Sequence, residues 1–261
     1  MGSSHFILAI TLLSLAAACG NPEPALRNET APGRGDVADT QTQDSLWLLS
    51  LREEMVRRQI EARGIRDAAV LRAMRMVPRH SFVPEASPAQ AYGDYPLPIG
   101  LGQTISQPYI VAFMAEAAGI GPDDRVLEVG TGSGYGAAVL AELAAEVYTV
   151  EIVPELAEQA RGTLSEAGYD RVRVLAGNGW LGWPEHAPYD AVVVTAAPDE
   201  VPPRLVEQLA VEGILVVPVG DFYQTLRVLR KTPTGLEELA TLPVLLVPMV
   251  REHRDTGGVG R

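Results

Sequence analysis

Twelve residues, Arg125-Val-Leu-Glu-Val-Gly-Thr-Gly-Ser-Gly-Tyr-Gly136, restrict what this chain can fold into more than any other stretch. A short apolar run breaks into alternating glycines and resumes as an alanine-rich helical pattern, which reads as strand, loop, helix. Gly130, Gly132 and Gly134 can take backbone angles that a Cβ forbids, and their missing side chains let a ligand lie against the main chain at a helix N-terminus. Thr131 and Ser133, between them, add hydroxyls to the same loop. The spacing is G-x-G-x-G, and Tyr135 stands where a dinucleotide fingerprint needs its third glycine, so a nicotinamide or flavin cofactor is disfavoured. Glu128, two residues before the first glycine, would repel a pyrophosphate and suits a cationic or hydroxyl-bearing ligand.

The chain has 261 residues, of which 47% are hydrophobic and 21% charged, enough for one ordinary globular domain. A formal net charge of -12 argues against nucleic acid or an anionic membrane surface as the main partner. Basic residues cluster between Arg52 and Arg79, which leaves room for a local positive face toward an acidic substrate. A single cysteine excludes an internal disulfide and a cysteine-based zinc site, and no metal is expected.

Residues 1–19 read as a leader. Phe6 to Ala18 is an apolar run ending in small residues, too short to span a bilayer as a helix and right for the core of an export signal. Ala16-Ala17-Ala18-Cys19 resembles the lipobox of bacterial lipoproteins, with two departures: Leu15 sits one position early, and no Lys or Arg precedes the apolar run. A lipid anchor at Cys19 and placement in the cell envelope are the expectation. Residues 20–45 are poor in large apolar side chains and read as a disordered tether, 46–250 as the folded domain and 251–261 as a flexible tail.

From Leu46 the pattern turns helical, with Leu48, Leu51, Met55 and Ile60 recurring until Arg63-Gly64. Asp67 can cap a second helix carrying Val70, Leu71 and Met74, which Pro78 ends. Tyr92 to Ser106 contains Pro96, Pro98, Gly100 and Gly102, which exclude regular structure and suggest a loop that lines a site. Ser106 or Gln107 then caps a helix with Pro108 near its first position and Gly119 at its end.

After the glycine loop, apolar runs at Val126–Val129, Val147–Val150, Val172–Leu175, Ala191–Ala196 and Ile214–Val217 alternate with helical patterns at Pro154–Ala167 and Pro203–Ala210. That is an α/β fold with a doubly wound, mainly parallel sheet. Tyr223–Arg230 and Leu236–Val247 lack an intervening helix and are joined by Thr232-Pro-Thr-Gly235, so an antiparallel hairpin at one edge is expected.

Ligands in such sheets bind at the carboxyl ends of strands, beside the point where strand order reverses. Glu151 ends the second of these strands, where its carboxylate can accept both hydroxyls of a ribose. Asn178-Gly179 ends the third and offers an amide to an adenine edge, and Thr195, Ala196 and Ala197 end the fourth with small side chains. S-adenosylmethionine, with its ribose, sulfonium and amino group, fits this set.

Several phrases go further. Val77-Pro-Arg79, Phe82-Val83-Pro84, Leu97-Pro-Ile-Gly100, Gly102-Gln-Thr-Ile-Ser-Gln-Pro108, Val126 to Tyr135, Gly177-Asn-Gly-Trp180, Tyr189-Asp-Ala191 and Val216-Val-Pro-Val-Gly220 together resemble the protein-L-isoaspartate O-methyltransferase family. The resemblance covers about Leu48 to Val250, and Gly-Gln-Thr-Ile-Ser-Gln-Pro is its most specific part. It implies a Rossmann-like seven-stranded methyltransferase sheet with a helical preface. It also implies a repair enzyme that methylates the free α-carboxylate of isoaspartyl residues in damaged proteins and peptides; a monomer is expected. The family's active-site serine falls on Ser106, and its cofactor contacts fall on Gln103, Thr104, Ile105 and Ser106, on Gly130 to Gly134, on Glu151 and on Asn178-Gly179. Asn178 departs from the aspartate common in the family, so weaker adenine binding is expected. The leader and tether also lie outside the family's usual cytoplasmic form.

The chemistry implied needs little acid–base help. A peptide carboxylate with a pKa of about 4 is already the nucleophile at neutral pH, so no base is required and Ser106 is expected to position it. A proton-transfer role for His80 or His186 is the competing possibility. A methyltransferase acting on another envelope substrate, or a binding module on the same fold, would share the glycine loop. Methyl transfer to an isoaspartyl peptide and not to its aspartyl twin separates the isoaspartyl enzyme from a methyltransferase retuned to another substrate.

Overall fold

In the computed structural model the described residues are 34–83 and 87–251, with side chains described from residue 45 onward. The leader, its Cys19 and most of the tail lie outside them.

A helix, α1, runs Arg34–Met55, so helical structure begins within the segment read as a tether and earlier than Leu46. It continues into a π-helical turn, Val56–Ile60, and a 3-10 turn, Glu61–Arg63, that stops at Gly64 with φ 106°. Helix α2, Ala68–Met76, is capped as read: the Asp67 carboxylate accepts the N–H groups of Ala69 and Val70 at 2.7 and 2.9 Å. Its Val70, Leu71, Ala73 and Met74 are buried on one face. A four-residue helix, α3 (Pro88–Ala91), follows.

Tyr92 to Ser106 is not irregular throughout. Strands β1 (Leu97–Gly100) and β2 (Gln103–Ile105) pair antiparallel, Leu97 facing Ile105 and Pro98 facing Thr104. A two-stranded ribbon leaves one edge of each strand unpaired, which is where a proline is tolerated. Helix α4, Pro108–Ala117, begins one residue past Gln107, whose side chain makes no cap; its Nε2 donates instead to the Asp94 carboxylate at 2.7 Å.

The remaining elements follow the alternation expected: β3 Arg125–Val129, α5 Tyr135–Ala141, β4 Glu146–Glu151, α6 Pro154–Glu166, β5 Arg173–Ala176, β6 Tyr189–Val194, α7 Pro203–Gln208, β7 Leu209–Val219, β8 Gln224–Thr232 and β9 Gly235–Val244. The sheet has seven strands in the order β5-β4-β3-β6-β7-β8-β9. The first five are parallel, and β7, β8 and β9 are antiparallel neighbours. The chain winds outward from β3 to β5 and returns on the other side as β6, so strand order reverses between β3 and β6. A ligand crevice opens at such a point.

Both faces of this sheet are covered, which is why its strands read as continuous apolar runs. Val126, Ala191, Val193 and Val216 point to the side packed by α2, α4 and α5, and Leu127, Val129, Val192, Val194 and Val217 point to the other.

Candidate active site

The loop after β3 is clamped from two sides. Gly130 has φ 102°, and a Cβ there would collide with the Thr195 hydroxyl, which donates to the Gly130 carbonyl at 2.6 Å. From the β4 side, Glu151 accepts the Gly132 N–H at 2.8 Å and the Val153 N–H at 3.0 Å. One buried carboxylate thus ties the glycine loop to the turn leading into α6, and its remaining lone pairs stay open to the cavity it lines.

Glu128 lies deeper, 1% exposed. Thr149 Oγ1 donates to its Oε2 at 2.6 Å, and Thr131 Oγ1 is 2.6 Å from Thr149 Oγ1. Burial pushes the Glu128 carboxyl up to about 8, with Glu151 nearby adding to the shift and the Thr149 hydrogen bond opposing it. Glu128 therefore holds a proton at neutral pH instead of standing as the bare counter-charge that its place in the sequence suggests. Gly136 is small for the same reason, since a Cβ there would strike Glu128 Oε1.

These groups line a cavity of about 800 Å³ at the carboxyl ends of β3 and β4. Gln103, Thr104, Ile105, Ser106, Glu128, Gly130, Thr131, Gly132, Ser133, Glu151 and Gly179 all reach it. Two expected residues do not. Gly134 turns its open side toward Leu164, and Asn178 spends both ends of its amide within the protein. Asn178 Oδ1 accepts the Trp180 N–H at 2.9 Å, and Nδ2 donates to the Arg251 carbonyl at 2.8 Å. The set fits S-adenosylmethionine: backbone crowded too closely for side chains, a carboxylate suited to ribose hydroxyls, apolar Ile152 and Val153 in the lining, and a volume typical of small-molecule sites.

The segment that Asn178 holds was not legible as part of the site. Val247 to Arg251 forms one wall, tied to the end of β6 by hydrogen bonds from Ala197 N to Val247 O (2.8 Å) and from Met249 N to Ala197 O (2.7 Å). The Arg251 guanidinium sits 3.6 Å from the Trp180 ring centroid and pairs with Asp199 at 3.3 Å.

Arg79 closes the run of basic residues in which the sequence leaves room for a positive face, and nothing local to it beyond the Val77-Pro-Arg79 phrase signals a role at the site. It is fully buried. Its Nε donates to the Ala91 carbonyl and its Nη2 to the Ser106 carbonyl, each at 2.8 Å, while its guanidinium lies over the Tyr135 ring. Burial lowers its pKa. Neither histidine considered as a base lines the cavity: His80 Nδ1 is 2.8 Å from the Tyr92 hydroxyl, and His186 stacks on Tyr148.

A second groove of about 740 Å³ adjoins the first, sharing Thr104, Ser106, Thr195 and Val247. Ser106 therefore stands where two compartments meet.

A doubly wound sheet with a glycine loop after its first strand, a carboxylate ending its second and a terminal antiparallel hairpin defines the class of S-adenosylmethionine-dependent methyltransferases. Within it, residues 50–254 match the family model described as protein-L-isoaspartate(D-aspartate) O-methyltransferase, and the chain belongs to that family. It is 60% identical over 200 residues to the protein-L-isoaspartate O-methyltransferase of Gloeobacter violaceus, covering 76% of this chain and 98% of that one. It is 57% identical over 235 residues to the enzyme of that name from Synechococcus sp. strain JA-2-3B'a(2-13), covering 87% and 93%. A solved protein-L-isoaspartate O-methyltransferase superposes with TM-score 0.70 at 28% identity, over 76% of this chain and 65% of that one. A Plasmodium falciparum structure described as a complex with S-adenosyl-L-homocysteine shares the fold at TM-score 0.66 and 24% identity.

Proposed function

We propose that this chain transfers the methyl group of S-adenosylmethionine to the free α-carboxylate of L-isoaspartyl residues in proteins and peptides. The observation that carries this is the position of Ser106, on the shared boundary of the glycine-loop cavity and the outer groove. A cofactor in one compartment and a peptide in the other would meet there. S-adenosylmethionine supplies, when bound, an electrophilic methyl carbon on a sulfonium. Glu151 would take the ribose hydroxyls and the Gly130 to Ser133 backbone the amino acid end.

The substrate carboxylate is ionised at neutral pH, so its oxygen forms the new bond to carbon while the carbon–sulfur electron pair leaves with sulfur as a neutral thioether. No proton moves in that step. Ser106 holds the carboxylate in line by one donated hydrogen bond, and Arg79 fixes the main chain that carries Ser106. The methyl ester is then attacked by the next backbone nitrogen, methanol leaves and a succinimide forms. Mass spectrometry of an isoaspartyl peptide incubated with enzyme and cofactor tests this. The expected product gains one CH₂ and then loses methanol; an ester stable to mild base would show a different acceptor.

The second part of the reading is placement. The apolar run ending at Ala18-Cys19 supports export and lipidation at Cys19, with the domain acting in the cell envelope as a monomer. In a bacterial host, Cys19→Ser should move the protein from the membrane to the soluble fraction and end fatty-acid labelling. Equal partitioning of the two forms points to a cytoplasmic enzyme. Light scattering that gives more than one chain's mass would contradict the monomer.

A further inference from the structure

The outer groove is lined by Leu242 to Val247 and by Tyr109 and Ile110, and it contains one charged side chain among the described residues, Arg63. Two contacts fix its guanidinium. Its carbon sits 3.6 Å from the Tyr109 ring centroid, and Nη1 reaches Asp94 Oδ2 at 3.3 Å. Asp94 is itself held through Oδ1 by Gln107 Nε2 at 2.7 Å. Nε and Nη2 of Arg63 have no hydrogen-bond partner among the described residues, and the side chain stays 42% exposed. A stacked, pre-oriented arginine with an unused edge is suited to a carboxylate, because little rotamer freedom remains to be lost on binding. The setting sharpens the point, since a chain of net charge -12 otherwise repels acidic peptides.

We propose that Arg63 is a specificity-determining residue that binds a carboxylate on the substrate peptide near the isoaspartyl residue, so that the enzyme favours damaged sites with acidic flanks. This rests on the isoaspartyl methyltransferase reading of the groove. The carboxylate can come from a flanking Asp or Glu side chain or from the peptide's own C-terminus. Asp94 opposes the contact by occupying one edge of the guanidinium, and the rest of the groove lining is uncharged.

The test is steady-state methyl transfer to four isoaspartyl peptides that carry Glu or Gln beside the isoaspartyl residue and a free or amidated C-terminus. The wild-type enzyme should show a KM lower by about 3- to 10-fold for whichever carboxylate Arg63 binds, with kcat little changed and the preference shrinking at high salt. Arg63→Gln should abolish that ratio while leaving the KM for the Gln-flanked amide unchanged, and Arg63→Lys should keep part of it. Asp94→Asn, which frees the guanidinium, should enlarge it. A purely structural Arg63 would raise KM for all four peptides together, and that result overturns the proposal, as does equal KM for all four with the wild-type enzyme. Failure to methylate any of them would overturn the activity itself, a distinguishable outcome.

Discussion

Arg79, with no exposed surface, donates from Nη2 to the main-chain carbonyl of Ser106 at 2.8 Å, so the residue at the meeting point of the two compartments is held by a buried cation from the helical preface. The same guanidinium spans to Ala91 and covers the Tyr135 ring. Arg79→Lys should therefore do more than conserve charge, because one ammonium cannot span both carbonyls and the ring. Denaturant unfolding should show a loss of about 2–4 kcal/mol. Methyl transfer should fall by more than cofactor affinity, and equal losses in both would show that Arg79 acts on the fold alone.

Ser106→Ala removes the hydroxyl and leaves that backbone anchor in place. Methyl transfer should drop by about 10- to 1000-fold, the range for one transition-state hydrogen bond. Calorimetric titration with S-adenosylmethionine should give a nearly unchanged Kd, and an equally large loss of affinity would reassign Ser106 to the cofactor.

Glu151 holds the loop and lines the cavity proposed for the cofactor. Replacing it with alanine frees the Gly132 and Val153 N–H groups, so stability should fall by about 1–3 kcal/mol and cofactor affinity at least about tenfold. An intact fold with unchanged affinity contradicts the assignment.

Glu128 gives the molecule a pH signature. Its folded pKa is raised to about 8, so from the ordinary carboxylate value up to that point the folded chain binds one proton more than the unfolded chain. Stability is greatest at acid pH for this group and declines as pH rises through the window, by up to about 1.4 kcal/mol per unit. Glu128→Gln, neutral throughout, should flatten that slope between pH 5 and pH 8. Unfolding curves with the same slope for both proteins would show that Glu128 is ionised in the fold.

Asn178 changes meaning once its partners are known. The sequence suggested an adenine contact weakened by the loss of an acid, but the amide is a bridge to Arg251 that a carboxylate could not donate. Asn178→Asp should set two acceptors against each other and speed hydrogen exchange at Val247 to Arg251, most clearly at the Met249 N–H. Unchanged exchange there would show that the Asp199 and Trp180 contacts of Arg251 suffice.

What the sequence revealed follows from the physics of its signals. The sheet was legible because strands covered on both faces are continuous apolar runs, and the glycine loop because backbone freedom is written directly in residue type. Glu151 was legible from its place at a strand end. Arg79 and the Val247 to Arg251 wall were not, since each acts through contacts remote in sequence: Arg79 is 27 residues from Ser106, and Asn178 is 73 from Arg251. Nor does local spacing report that Glu128 is buried deeply enough to keep its proton. The β1 and β2 ribbon was hidden by prolines and glycines that a two-stranded pairing tolerates and a wider sheet would not.

The most direct test of the account is the rate of methyl transfer from labelled S-adenosylmethionine to two peptides that differ only in whether one residue is isoaspartyl or aspartyl. Label should enter the isoaspartyl peptide as a base-labile ester and fail to enter its twin. Equal labelling of both, or labelling of neither by a folded, cofactor-binding protein, would contradict it.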